Sequence, residues 1–241
     1  MILLYVVFAP LALLLMYLLF LGVCCLLVNP EKEYDMNSPF YRFLLDSATA
    51  VAMKLLRIRV HVSGMERIPK DTKVLFVSNH RSNFDPIVTW YALKKWKIAF
   101  VSKPSNFKIP FFGRIIRKCC FMPIDRENPR KAILTINRAA KLLRKQEVSI
   151  GIYPEGTRSQ NGQLLPFHNG VFKIAQKAEC PIVVLCVTGT EKIAKRTPFR
   201  RTDVYLDVLE VFSGVNIKES KTELIGTAVR RLIEINTEQR E

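Results

Sequence analysis

Apolar residues are distributed very unevenly along the chain. From Ile2 to Val28 no side chain is charged, and the first charge is Glu31. This run of about 27 residues exceeds the ~20 that cross a bilayer core as a helix. A secretory signal would begin with Lys or Arg and end sooner, on small residues. Here Leu26-Leu27-Val28-Asn29-Pro30 makes a poor cleavage site, and a core helix of this length would carry a polar stripe. A retained membrane anchor is therefore expected over 1–28, with Pro10 marking a kink or a hairpin bend. A polar linker, Glu31 to Ser38, follows. Beyond Pro39, Phe40, Phe43, Leu44, Ser47, Val51, Met53, Lys54, Leu55 and Leu56 recur at amphipathic helical spacing. That helix would lie on the bilayer surface or pack on the body of the protein.

After residue 58 the pattern changes to short β-branched runs alternating with helical periodicity. Strands are expected at Val60–Val62, Val74–Val77, Ile98–Val101, Val148–Tyr153, Ile182–Val187 and Val204–Val211. Helices are expected at Ile87–Lys94, Phe111–Arg117, Pro129–Lys145, Val171–Lys177 and Leu224–Asn236. Such alternation predicts an α/β fold, a mixed and largely parallel sheet flanked by helices. The expected organisation is an anchor over 1–28, a linker and amphipathic helix over 29–58, and one domain over 59–241.

Charge narrows the partners. The 241 residues carry a formal net charge of +16, all of it beyond the apolar run. A nucleic acid, an anionic lipid surface or a phosphorylated substrate would each suit that charge. The apolar N-terminus favours lipid, and Lys and Arg are spread out, with no familiar nucleic-acid motif, so no nucleic-acid partner is expected. The positive-inside tendency puts the basic body on the cytoplasmic side of the membrane. Six cysteines show no C-x-x-C spacing. They suggest neither a zinc site nor a disulfide framework, and a reducing compartment.

Candidate chemistry sits where strands end. Ser78-Asn79-His80-Arg81-Ser82-Asn83-Phe84-Asp85-Pro86 directly follows the run Val74–Val77. His80 thus falls beyond the carboxyl end of a strand, where open α/β sheets bind ligands. An imidazole with the ordinary pKa near ~6.5 can take a proton from a hydroxyl at neutral pH. A carboxylate on its other nitrogen would fix the tautomer and stabilise the imidazolium. Asp85 could be that partner, and Asp followed by Pro also reads as a helix N-cap. Tyr153-Pro154-Glu155-Gly156-Thr157-Arg158-Ser159 follows a second strand; there glycine permits close backbone approach, and Thr157 and Arg158 offer a hydroxyl and a guanidinium to phosphate. Phe121-Met122-Pro123-Ile124-Asp125-Arg126 leaves a third strand end, and Lys103 a fourth. Together these would build one basic pocket containing a base.

The blocks Asn79-His80-x4-Asp85, Ile124-Asp125-Arg126 and Pro154-Glu155-Gly156-Thr157-Arg158 resemble, in order and spacing, successive motifs of the glycerolipid acyltransferase family. Pro181 to Val187 resembles its fourth, apolar motif, and the similarity runs from Val60 to Gly189. The resemblance implies transfer of a fatty acyl group to the free hydroxyl of a lysophosphatidic-acid-type acceptor, giving phosphatidic acid for phospholipid biosynthesis. His80 would be the general base and Asp85 its orienting partner. Lys103, Arg126, Glu155, Gly156, Thr157 and Arg158 would hold the phosphate. The donor would be acyl-CoA or acyl-acyl carrier protein, used as a substrate, with no bound cofactor, no metal and no acyl-enzyme. No G-x-S-x-G elbow occurs. Other acceptors within the same chemistry are glycerol-3-phosphate, lysophospholipids and lyso-aminolipids. A lipid hydrolase using Ser78 or Ser82, and a non-catalytic membrane-tethered module, are the rivals of other classes. Two positions depart from the family pattern. Lys118-Cys119-Cys120 stands where glycine is common, and His168 stands where lysine is common. His61 is expected to take no part.

Overall fold

The computed structural model describes residues 2–159 and 162–240. Among these, seven strands form one sheet: β1 (Ile58–Ser63), β2 (Leu75–Ser78), β3 (Ala99–Ser102), β4 (Met122–Pro123), β5 (Ile150–Ile152), β6 (Ile182–Thr188) and β7 (Thr202–Phe212). Their order is β1-β7-β6-β2-β5-β3-β4. Every neighbouring pair is parallel except β6 with β7, whose antiparallel register slips between Val184 and Leu185. The expected α/β class, mixed and largely parallel, is the one found. β2 and β6 are buried along their whole lengths, as near-continuous apolar runs require when helices cover both sheet faces. β1, at the edge, is only partly covered.

Nine helices accompany the sheet among the described residues: α1 (Ile2–Leu26), α2 (Pro39–Leu55), α3 (Asp85–Ala92), α4 (Phe112–Lys118), α5 (Pro129–Arg144), α6 (Lys173–Ala178), α7 (Ile193–Arg196), α8 (Gly214–Lys218) and α9 (Thr222–Arg240). α5 starts where its local chemistry directs. Asn128 accepts from the Lys131 amide at 3.2 Å, and Pro129 occupies the first helical position. The helix expected at Val171–Lys177 is instead a 3-10 turn, Asn169–Phe172, running into α6. α7 and α8 had no counterpart in the sequence reading, because four or five residues complete too few turns to show a period.

α1 is one uninterrupted helix with Pro10 inside it, and no hairpin forms there. From Phe8 to Leu26 it is long and apolar enough to cross a membrane, with a mean hydropathy of 2.5 and only 17% of that window buried. Among the residues whose side chains are described, its carboxyl half docks on the body. Leu21, Cys24, Cys25 and Val28 are buried. The Tyr41 hydroxyl donates to the Cys24 carbonyl at 3.0 Å, and Tyr17 and Ser47 share a hydrogen bond of 2.8 Å.

Of the two placements open to α2, the structure shows packing on the body. Tyr41, Leu44, Leu45 and Met53 join the core, while Phe40, Phe43, Val51 and Leu55 remain exposed on the other side. The buried Arg42 guanidinium fixes the docking by donating to the carbonyls of Ile98 (2.8 Å) and Cys119 (3.0 Å) and to Asn37 (2.9 Å). All six cysteines are free and buried. Burial pushes the thiols of Cys119 and Cys186 up to about 11 and those of Cys120 and Cys180 up to about 12.

Candidate active site

Because β2 to β6 run parallel, their carboxyl ends gather at one edge of the sheet, the place where ligands bind in such folds. His80 lies two residues beyond β2, Lys103 directly beyond β3, Arg126 three beyond β4, and Tyr153 to Arg158 directly beyond β5. A cavity of about 800 Å³ opens there, lined by His80, Lys103, Arg126, Gly156, Thr157 and Arg158 among others. Six of the eight candidate site residues are thus brought to one space. Asp85 and Glu155 stand behind it.

Asp85 is fully buried at the start of α3. Its Oδ2 accepts from His80 Nδ1 (2.8 Å) and from the amides of Arg81 (2.7 Å) and Ser82 (2.6 Å). Its Oδ1 accepts from the Thr190 hydroxyl. The helix cap itself is Phe84, with no side-chain bond, so the N-cap reading of Asp85 is corrected: its carboxylate faces backward onto the His80 loop. With Nδ1 engaged, Nε2 is the ring nitrogen left to the cavity. The His80 side chain is 17% exposed, and its ring stacks on Tyr153 at 4.3 Å between centroids.

Glu155 does not face the cavity, which corrects its expected place among the phosphate ligands. Its Oε1 accepts from the His80 amide (2.7 Å) and its Oε2 from the Leu165 amide (2.9 Å). Burial raises the Glu155 carboxyl above its ordinary value, an effect those two amides oppose. A carboxyl so held braces the loop carrying the imidazole. Asn79 braces the same loop from the other side, donating to the Val187 carbonyl (2.9 Å) and accepting from the Val187 amide (2.8 Å). Ser78 bonds Asn79, and Ser82 accepts from the Phe84 amide; neither hydroxyl lines the cavity.

Gly156 adopts φ +73°, and a Cβ built there would stand 3.0 Å from His168 Cδ2 and 3.7 Å from Arg126 Nε. A positive φ and the close approach of His168 and Arg126 make glycine the fitting residue. Burial lowers the Arg126 guanidinium from its ordinary value, and among the described residues no carboxylate pairs with it. Lys103, Thr157 and Arg158 stand exposed around the opening. From this basic end the cavity runs inward between Trp90, Phe100, Phe112, Ile116, Phe121 and Ile136. One end therefore suits an anion and the other an apolar chain. Among the described residues no group of three His, Cys, Asp or Glu side chains converges as metal ligands would.

Sequence reasoning missed Tyr153, whose ring lies between His80 and Phe100 and whose buried hydroxyl sits beside Thr89 and Asp85. It also missed Thr190, which lacks any local signal because its partner is more than a hundred residues away. The Lys118-Cys119-Cys120 departure has a visible consequence. Cys120 is held at φ +64°, a conformation that costs a residue with a Cβ and that glycine adopts freely.

A family model described as Acyltransferase matches residues 59–188, which include every candidate site residue. The chloroplastic 1-acyl-sn-glycerol-3-phosphate acyltransferase BAT2 of Brassica napus is 37% identical over 136 residues, covering 56% of this chain and 39% of that protein. A 1-acyl-sn-glycerol-3-phosphate acyltransferase of Haemophilus influenzae is 31% identical over 179 residues, covering 71% of this chain and 73% of that protein. The crystal structure of the 1-acyl-sn-glycerophosphate (LPA) acyltransferase PlsC from Thermotoga maritima superposes with a TM-score of 0.68 at 25% identity, covering 82% of this chain and 78% of that one. The chain thus spans well under half the length of the Brassica relative and most of the two bacterial ones.

Proposed function

The chain belongs to the acyltransferase family, and from that premise we propose that it moves a fatty acyl group from an acyl thioester to the free sn-2 hydroxyl of 1-acyl-glycerol-3-phosphate, forming phosphatidic acid. The observation that carries this reading is a pair of groups on one cavity: His80, with Nδ1 held by Asp85, and Arg126, a partly buried guanidinium without a described carboxylate partner. Similarity to relatives named for that acceptor supports the choice.

In the proposed reaction Arg126, Arg158 and Lys103 hold the acceptor phosphate, with Gly156 and Thr157 allowing close approach and His168 beside Arg126. His80 Nε2 takes the proton of the acceptor hydroxyl as its oxygen attacks the thioester carbonyl. The tetrahedral adduct collapses, the C–S bond breaks, and the leaving thiolate recovers the proton from the imidazolium. Asp85 keeps the tautomer and stabilises the imidazolium while it exists. Proton transfer of this kind contributes roughly 10²–10⁴ in rate, and holding both reactants at one site adds to it. The donor is acyl-CoA or acyl-acyl carrier protein, both anionic and suited to a body of net charge +16.

The same proposal covers placement. Residues 1–28 anchor the enzyme in a membrane, 29–58 connect, and 59–241 perform the chemistry on the cytoplasmic side, against an anionic lipid surface. The test offers labelled acyl thioester to purified protein with lysophosphatidic acid, glycerol-3-phosphate or lysophosphatidylcholine in turn. Phosphatidic acid formed from lysophosphatidic acid far faster than product from either alternative is expected. Preference for another acceptor would overturn the substrate assignment, and transfer to none would overturn the activity.

A further inference from the structure

We propose that Thr190 is a positioning residue for His80, acting through Asp85; the inference rests on the reading of His80 as the base. Three of the four donors on the Asp85 carboxylate, namely His80 Nδ1 and the amides of Arg81 and Ser82, come from the loop just before α3 and all reach Oδ2. They hold one oxygen and leave the plane of the carboxylate to be set by whatever binds the other. Oδ1 takes its bond from the hydroxyl of Thr190, which lies beyond β6 and is fully buried.

The backbone is shaped to deliver that hydroxyl. Gly189 directly follows β6 at φ +89°, where an added Cβ would lie 2.7 Å from the Asp203 carbonyl oxygen; the chain then enters the 3-10 turn Thr190–Lys192. Only glycine makes that turn without a clash. β6 is held beside β2 by strand pairing and by the two bonds between Asn79 and Val187. The orientation of the imidazole is thus referred, through Asp85 and Thr190, to a strand that lends the cavity none of its six candidate ligands. The hydroxyl also draws off part of the carboxylate charge, which limits how strongly Asp85 holds the imidazolium. Both effects act on the proton-transfer step and neither on acceptor binding.

The test compares Thr190→Val, Thr190→Ser and His80→Ala in the full chain, following kcat and KM for acyl transfer to lysophosphatidic acid, with thermal unfolding as the check on folding. Thr190→Val keeps the shape and deletes the donor. It is expected to lower kcat by about 10- to 100-fold, the scale on which small misplacement of a reacting group costs rate. KM for both substrates should stay within about threefold, since binding contacts are untouched. Thr190→Ser should restore kcat. A Thr190→Val enzyme with unchanged kcat would overturn the inference, as would a Ser variant as slow as Val. If Thr190→Val fails to fold, Thr190→Ser against Thr190→Ala, which differ by one oxygen, makes the same comparison. His80→Ala separates the two levels: activity in that variant defeats the reading of His80 as base, whereas an inactive His80→Ala beside a fully active Thr190→Val defeats the Thr190 inference alone.

Discussion

Asp85 concentrates the residue-scale argument, since a buried carboxylate is tolerated only when its oxygens are well bonded. Here four donors meet it, and one of them is the imidazole it serves. Asp85→Asn keeps the volume but sets an amide against those donors and removes the charge that stabilises the imidazolium. Its kcat for acyl transfer should fall by about 10²–10⁴, with acceptor KM little changed. Arg126 calls for the opposite pattern. Arg126→Ala should raise KM for lysophosphatidic acid by roughly 10- to 100-fold, the worth of about one charge-assisted hydrogen bond, while kcat falls less. Steady-state kinetics with varied acceptor distinguishes the two. His80 and Arg126 were legible in the sequence because each stands within a few residues of a strand end, and Asp85 because it opens the helix that follows. Glu155 was legible as part of the same block, but the direction of its carboxylate was not. That direction depends on where the His80 and Leu165 amides come to lie, and no local spacing records it.

Elements matter here chiefly through their ends. β2, β3, β4 and β5 are short, between two and four residues each, so each delivers a loop to the cavity almost at once. The apolar runs of β2, β3 and β5 were visible in the sequence, whereas β4, only two residues long, was not among the expected strands. Also visible were α2, α5 and α9, whose faces repeat over several turns. The ambiguous case was α2, which is apolar on two sides: Leu44 and Leu45 meet the core, and Phe40 and Phe43 do not. A one-dimensional pattern does not say which side wins, and the buried Arg42 decides it by bonding carbonyls beside β3 and at the end of α4. Arg42→Ala leaves those buried carbonyls without a donor. It should destabilise the protein by about 2–4 kcal/mol in urea unfolding in detergent. A loss under 0.5 kcal/mol, about the effect of an ordinary surface substitution, would mean the guanidinium does not secure α2.

The molecule as a whole combines an apolar helix, docked through its carboxyl half, with a basic body. Its cavity is cationic at the mouth and aromatic within. Full-length protein should therefore remain with membranes through an alkaline carbonate wash. A form lacking residues 2–28 should bind anionic vesicles only peripherally, through Phe40, Phe43, Val51 and Leu55 and the basic surface, and should be released by salt. Carbonate release of the full-length protein would contradict an anchoring role for α1. The burial of all six cysteines gives a further check, because the native enzyme should resist alkylation by iodoacetamide at pH 8 and become reactive on unfolding.

The role of His80 is tested by acyl transfer from labelled thioester to lysophosphatidic acid in the His80→Ala variant, with lysolipid binding measured on the same preparation. The expected result is a rate lowered by at least about 10²-fold with binding close to that of the unaltered protein. A His80→Ala enzyme that still forms phosphatidic acid at near-normal rate would contradict the assignment of this cavity as the seat of the chemistry.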